Sequence, residues 1–351
     1  MTQNTPLSPC HFRLPVGERQ RVLSVEQLKT LGVSPARAAA QCRAGGPWQQ
    51  PLPGVYVLHP GPPTGEERLR SALLYVGRRR AVPAQGGAAR STGYGEAMVT
   101  GPAALALHGF SLVPPMSSLD RIDVLVPRTR RLRSVRYVRV VRTTELPRPE
   151  QLAGLPVAPV ARALADAVTG LGDTGAVRLL LTEAVRGGHC EPAAVVRELS
   201  RSKLLDRPHI VNAVDSLLAE GRALAESRLY DMVRTYDLPE PLWNVDLRLP
   251  GGPHLGGVDA YWPDQAVAVE LDSRAPLHST LDGDRCQEGH DADRSGCAAE
   301  REHLERLGVT VVHVAPRKLR IAADQQATVV RTALMAAADR EPAAYVVILP
   351  R

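Results

Sequence analysis

The chain has 351 residues, enough for two or three domains; 44% are hydrophobic but only 4% aromatic, so its cores must be built mostly from Leu, Val and Ala. No apolar run approaches the length of a membrane span, no signal-peptide pattern follows Met1, and the five scattered cysteines form no C-x-x-C pair, so a cytoplasmic protein without membrane spans or a disulfide framework is expected. The net charge of +6 conceals an asymmetry: residues 1–150 hold 21 Lys+Arg against 9 Asp+Glu, and the rest of the chain is acidic. Nearly all the cations are arginines, whose fork suits phosphate, so DNA is the expected partner of the front half. An Arg-rich composition throughout would not produce the asymmetry.

In chain order, residues 1–15 read as loosely attached. The stretch 22–46 predicts two short helices. Ser24 with Gln27 forms a capping box, Ser34 caps again with Pro35 at the first helical position, and Gly45-Gly46 ends the pair. Two extended pieces follow around Pro53-Gly54, an order similar to a winged helix-turn-helix module over 1–62. Arg37, Gln41 and Arg43 lie where a recognition helix presents side chains to bases and phosphates. The alternative is a small helical cap on the next domain.

Residues 63–205 predict an α+β middle region. A helix over 66–80 precedes a Gly/Ser-rich loop, and Thr100 is a candidate N-cap for the helix over "TGPAALALHGF". The strands "DRIDVLVP" and "VRYVRVVRT" suggest a basic hairpin, with Arg128, Arg130, Arg131 and Arg133 in its connection and Arg136, Arg139 and Arg142 on its second strand. Such a hairpin either follows a phosphate backbone or is an edge strand protected by charge. Helices over 158–168 and 174–200 follow, and residues 201–221 give another helix and a boundary. His108 reads as a packed residue at a helix end, because no nucleophile pattern accompanies it. "GYGEAMVTG" lacks the spacing of a nucleotide-binding loop, so no small-molecule cofactor is expected.

The last region, 222–351, predicts the order α-β-β-β-α-β-α, a small mixed sheet flanked by helices. Its first helix carries Glu226. In "VDAYWPDQAVAVELDS" the strand period of two puts Val267, Val269 and Leu271 on the core face, and Ala266, Ala268, Glu270 and Asp272 on the other, where the small alanines leave room beside the acids. A hairpin would bring Asp259 beside Glu270. Converging carboxylates are tolerable around a hard cation; otherwise this is a half-exposed strand with an acidic face. Cys286, His290 and Cys297, near His278, match no structural zinc spacing and read as a polar loop.

Glu226, "VDAYWPD", "VAVELDS", His278 and "GVTVVHVAPRKL" together resemble the PD-(D/E)xK nuclease superfamily, in its branch related to very-short-patch-repair (Vsr) endonucleases. The front half, with "LPGVYVL", "ALALHG", "DRIDVLVPR" and "LPVAPVARAL", resembles AbiEi-type antitoxins. The resemblance implies an α+β multidomain chain: a winged-helix-like module, an α+β middle region and a C-terminal α/β restriction-endonuclease-like domain. It implies metal binding by Asp259, Glu270 and Glu226, catalytic roles for Asp259, Glu270, Asp272 and His278, and Mg²⁺ or Mn²⁺ as cofactor. Asp272 stands where the superfamily usually has Lys, as in the Vsr-related branch; Ser273 replaces the expected Gly, and Pro276 precedes His278. The expected activity is metal-dependent phosphodiester hydrolysis by an endodeoxyribonuclease. The alternative is a non-catalytic DNA-binding regulator, antitoxin-like and paired with a cognate toxin, that uses the nuclease fold as scaffold.

Overall fold

The computed structural model describes residues 21–77, 93–252, 254–272, 304–337 and 346–351. They form an α+β chain in two compact units, Met1–Ala167 and Val168–Arg351, with three sheets flanked by helices. Among the described residues no helix is long and apolar enough to cross a membrane.

The first unit begins with β1 (Val22–Ser24), α1 (Val25–Thr30), α2 (Pro35–Gln41), β2 (Gln49–Leu52) and β3 (Val55–Val57). Its three strands pair antiparallel in the order β1-β3-β2. Ser24 and Gln27 make both bonds of the capping box, and Ser34 accepts from the Arg37 amide with Pro35 in the first turn, so both helix starts lie where the sequence puts them. Leu28, Val33, Ala38, Trp48 and Tyr56 close a small core beneath the two helices.

Next come α3 (Gly65–Gly77), β4 (Met98–Thr100), α4 (Gly101–Leu107), β5 (Ile122–Pro127), β6 (Val138–Thr143), β7 (Glu150–Leu152), β8 (Leu155–Val157) and α5 (Val160–Val168). The sheet order is β6-β5-β4-β8-β7. Here β5 and β6 run parallel, so the expected basic hairpin is absent at this pair. The ten residues between them must return along the strand before β6 begins. Arg142 on β6 secures that return by donating to the carbonyls of Arg130, at 3.0 Å, and Leu132.

Thr100 precedes α4 as expected, but its hydroxyl makes no cap bond. It donates instead to Asp166 Oδ2 at 2.6 Å, and Arg162 clamps the same carboxylate through Nε at 3.0 Å and a terminal nitrogen at 2.8 Å. Arg162 and Asp166 are both buried, so each charge depends on the other for solvation. Asp166→Ala leaves a guanidinium buried without its carboxylate. The expected cost is about 3–5 kcal/mol, read as a lower midpoint in denaturant unfolding, with Arg162→Met/Asp166→Leu recovering most of the loss.

The second unit starts with α6 (Thr174–Arg186), α7 (Pro192–Arg201) and α8 (Pro208–Thr235). The sequence suggests separate helices on either side of residue 222; the chain runs through that point as one 28-residue helix. Ala225, Leu229, Met232 and Val233 form its apolar stripe, and Asp237, at φ 51°, turns the backbone out beyond its end. The strands β9 (Leu242–Arg248), β10 (His254–Trp262), β11 (Val267–Leu271), β12 (Thr310–Val314) and β13 (Val347–Pro350) form a mixed sheet in the order β12-β11-β10-β9-β13, with only β11 and β12 parallel. After β12 come α9 (Pro316–Ile321) and α10 (Ala323–Ala337).

Both faces of this sheet are covered. Val267, Val269 and Leu271 join α8 and α10 in one core, as the alternation predicts. Ala266 and Ala268, expected to leave open space beside the acids, instead join Val258, Tyr261, Leu304 and Val309 in a second core. A parallel pair buried on two faces reads as a nearly continuous apolar run, and "AVAV" is such a run. The acids therefore emerge only at the end of β11, where this second core stops.

Candidate functional site

The loop after Trp262 reverses the chain in four residues, with Ala266 at φ 49° and its amide bonded to the Pro263 carbonyl at 3.3 Å. It sets the antiparallel register Trp262↔Val267, Tyr261↔Ala268 and Ala260↔Val269. Asp259 and Glu270 are the next residues along the two strands after that last pair. Asp259 sits at an irregular point of β10: its neighbours Val258 and Ala260 belong to different cores, and Asn244 on β9, between the partners of those two residues, has φ 50°.

Asp259 is buried at 6% exposure. Its Oδ2 accepts the Leu271 amide at 2.7 Å and its Oδ1 accepts a terminal nitrogen of Arg222 at 2.7 Å. The Nε of Arg222 donates to Glu226 Oε1, also at 2.7 Å. Arg222 and Glu226 lie one turn apart on α8, which points both side chains toward the end of the sheet. A single guanidinium thus joins the helix acid to the strand acid. Burial pushes the Asp259 carboxyl above the usual carboxylate range; Glu226 adds to this, while the Leu271 amide, Arg222 and Arg351 act against it.

Glu270 is half-buried and faces His313 on the parallel neighbour β12, with 3.5 Å between Oε2 and Nδ1. Asp272 lies just past β11; its amide bonds to the Val314 carbonyl at 3.1 Å and its side chain is exposed. His278, and with it the Cys286/His290/Cys297 stretch, lies outside the described residues. Of the expected acids, then, Glu226 and Asp259 meet through Arg222, and Asp259 bonds across the hairpin to the amide of the residue after Glu270. Sequence reasoning missed Arg222 and His313. The first carried a visible signal, an Arg four residues before Glu226 on a predicted helix. The second became visible only once β11 and β12 were known to pair in parallel.

The donor set does not fit Mg²⁺ or Mn²⁺ as it stands. Both oxygens of Asp259 are engaged, Arg222 supplies the positive charge between the acids, and among the described residues no three His, Cys, Asp or Glu side chains are grouped to hold a metal ion. Hard divalent cations require several oxygens at once.

In the first unit, Arg37 is exposed on α2 and Gln41 is its last residue; Arg43 lies beyond the helix end, in the turn where its carbonyl accepts the Gly46 amide. Arg128, Arg131 and Arg133 are exposed along the β5–β6 connection, and Arg130 is half-buried against the Gly77 carbonyl at 3.5 Å. The other arginines expected to track phosphates have structural partners: Arg136 donates to the carbonyls of Gln50 and Pro51, Arg139 pairs with buried Asp123, and Arg142 holds the connection.

Compared with known proteins, the chain matches no family model and no curated relative.

Removing the shared guanidinium is the sharpest test of this geometry. Arg222→Ala is expected to cost roughly 1–3 kcal/mol, because it leaves Asp259 buried with only the Leu271 amide. The carboxyl already titrates above its unfolded value, so its folded state holds the proton more tightly. The penalty of the charged form is therefore present at neutral pH and fades as pH falls through the folded pKa of Asp259. Thermal unfolding of wild type and variant between pH 7 and pH 4 should show the two midpoints converging as pH drops.

Proposed function

We propose that this protein binds DNA and that its second unit is a restriction-endonuclease-like domain used as a scaffold, with Arg222 in the place of a catalytic cation. The observation that carries the scaffold reading is the guanidinium shared by Glu226 and Asp259. The buried Asp259 and the half-buried Glu226, which would repel one another, share one guanidinium, so folding of the site needs no metal. Support for DNA comes from the exposed arginines of the first unit: Arg37 on α2, Arg43 after it, and Arg128, Arg131 and Arg133 on the β5–β6 connection. In this reading α1 and α2 act as a winged-helix-like pair, with α2 against the duplex, and the chain is an antitoxin-like regulator that acts beside a cognate toxin. Reduction of the charge count by Arg136, Arg139 and Arg142 leaves fewer phosphate contacts than composition alone suggests.

A second reading, metal-dependent phosphodiester hydrolysis, is favoured by one observation: the Asp259 carboxylate accepts the Leu271 amide across the β10–β11 hairpin, one residue after Glu270, with His313 beside Glu270. It requires Arg222 to leave the acids. The two readings separate in one experiment. Wild type, Arg222→Ala and Asp259→Ala/Glu270→Ala are incubated with supercoiled, linear and single-stranded DNA in Mg²⁺ or Mn²⁺, and duplex binding is followed in parallel as a function of salt. The scaffold reading expects intact DNA in every case. It also expects duplex binding that weakens in Arg37→Ala/Arg131→Ala by about tenfold and has a shallower salt dependence there. Cleavage by wild type that disappears in the double acid variant would overturn it in favour of the nuclease.

A further inference from the structure

A cleft of about 510 Å³ opens beside the Arg222 bridge, within the second unit. Four arginines line it from three different helices: Arg197 on α7, Arg222 on α8, and Arg317 and Arg320 on α9. Its acidic lining residues are Glu191 and Asp272. Arg320 is held by the Gly188 carbonyl at 2.8 Å and by Glu191 at 3.1 Å, and Arg222 by Glu226 and Asp259. These two guanidiniums are fixed before any ligand arrives, so a ligand does not have to order them. Arg197 and Arg317 are exposed and make no ion pair with another described residue.

With Arg222 and Arg320 paired to carboxylates, the positive charge left on this wall is that of Arg197 and Arg317 against Asp272, and it favours an anion between the two arginines. A volume of this size takes a group as large as a nucleotide. The planar fork of Arg binds tetrahedral phosphate through paired hydrogen bonds, where a single ammonium offers only a point charge. We propose that this cleft is a binding site for a phosphoryl group, with Arg197 and Arg317 as its ligand-responsive donors and Arg222 and Arg320 as its fixed wall. The proposal rests on reading the second unit as a nucleic-acid-handling domain only for the source of that phosphate, either the end of a strand or a free nucleotide. The chemistry of the site is the same for both.

The test uses the full chain and calorimetry. The probes are thymidine 5′-monophosphate, a 5′-phosphorylated thymidine hexanucleotide and the same hexanucleotide without its phosphate. Binding is measured for wild type, Arg197→Ala and Arg317→Ala. Both substitutions are on exposed side chains, and an unchanged thermal midpoint establishes that the variants fold. The expected result is preference for the phosphorylated hexanucleotide over its unphosphorylated form, weakened by about tenfold or more in each variant. Monophosphate binding as tight as the phosphorylated hexanucleotide assigns the site to a free nucleotide; tighter hexanucleotide binding assigns it to a strand end. Equal binding of the two hexanucleotides, or variants that bind like wild type, overturns the proposal. Phosphate preference without any duplex binding removes the DNA reading and keeps the cleft. Duplex binding without phosphate preference does the reverse.

Discussion

The second unit is organised around the charge balance at Arg222. Asp259 is buried where the cores on the two faces of the sheet meet, and burial of a carboxylate without compensation is among the most costly events in folding. Its two oxygens are satisfied by different kinds of donor, a strand amide and a helix guanidinium. The first bond belongs to the β10–β11 hairpin. The second reaches across to α8. A single carboxylate thus couples the register of a hairpin to the rotation of a helix about its axis. Glu226 holds the same guanidinium from within α8, so sliding α8 by one residue along the sheet breaks the Arg222–Asp259 pair while Arg222–Glu226 moves with the helix.

This coupling explains why α8 does not stop at residue 222, where composition suggests a boundary. Leu217 and Ala225 are both buried, and they lie on either side of Arg222 along the helix. A break there would separate the segment that contacts α6 and α7 from the segment that carries Arg222 and Glu226 against the sheet. One continuous helix gives both contacts a common frame. The first unit solves its own buried-charge problem in a related way. Arg162 and Asp166 lie one turn apart on α5, and the Thr100 hydroxyl takes up remaining acceptor capacity on the carboxylate.

Local signals were the legible part of the chain. Ser24, Gln27, Ser34 and Pro35 specify two helix starts through bonds made within three residues, and the structure has them. The alternation in "VAVEL" identified the β11 core face and the direction of Glu270 for the same reason. What stayed illegible depends on contacts distant in sequence. Thr100 does occupy the N-cap of α4, but nothing nearby names Asp166, 66 positions on, as the partner of its hydroxyl. The β5–β6 segment looked like a hairpin because turn residues and arginines signal a reversal without saying how many reversals occur. Ala266 and Ala268 looked open because small residues mark either space or close packing, and only the covering side chains decide which.

The arginines carry the same lesson into function. Composition counts each one as a cation available to a phosphate, yet a guanidinium has five donors and can be fully committed to carbonyls and carboxylates of its own fold. Arg136 and Arg142 are committed to carbonyls, and Arg139 and Arg162 to acids. The distinction separates an electrostatic surface from a structural clamp, and net charge cannot draw it. Exposed arginines include those on α2 and the β5–β6 connection in the first unit and those around the cleft in the second. Arg222 belongs to both categories, because it closes an internal ion pair and also lines the cleft. In the proposed site a bound anion and the Asp259 carboxylate act on the same guanidinium, so any effect of one on the other is reciprocal. The charge state of Asp259 and occupancy of the cleft would then be linked through one side chain.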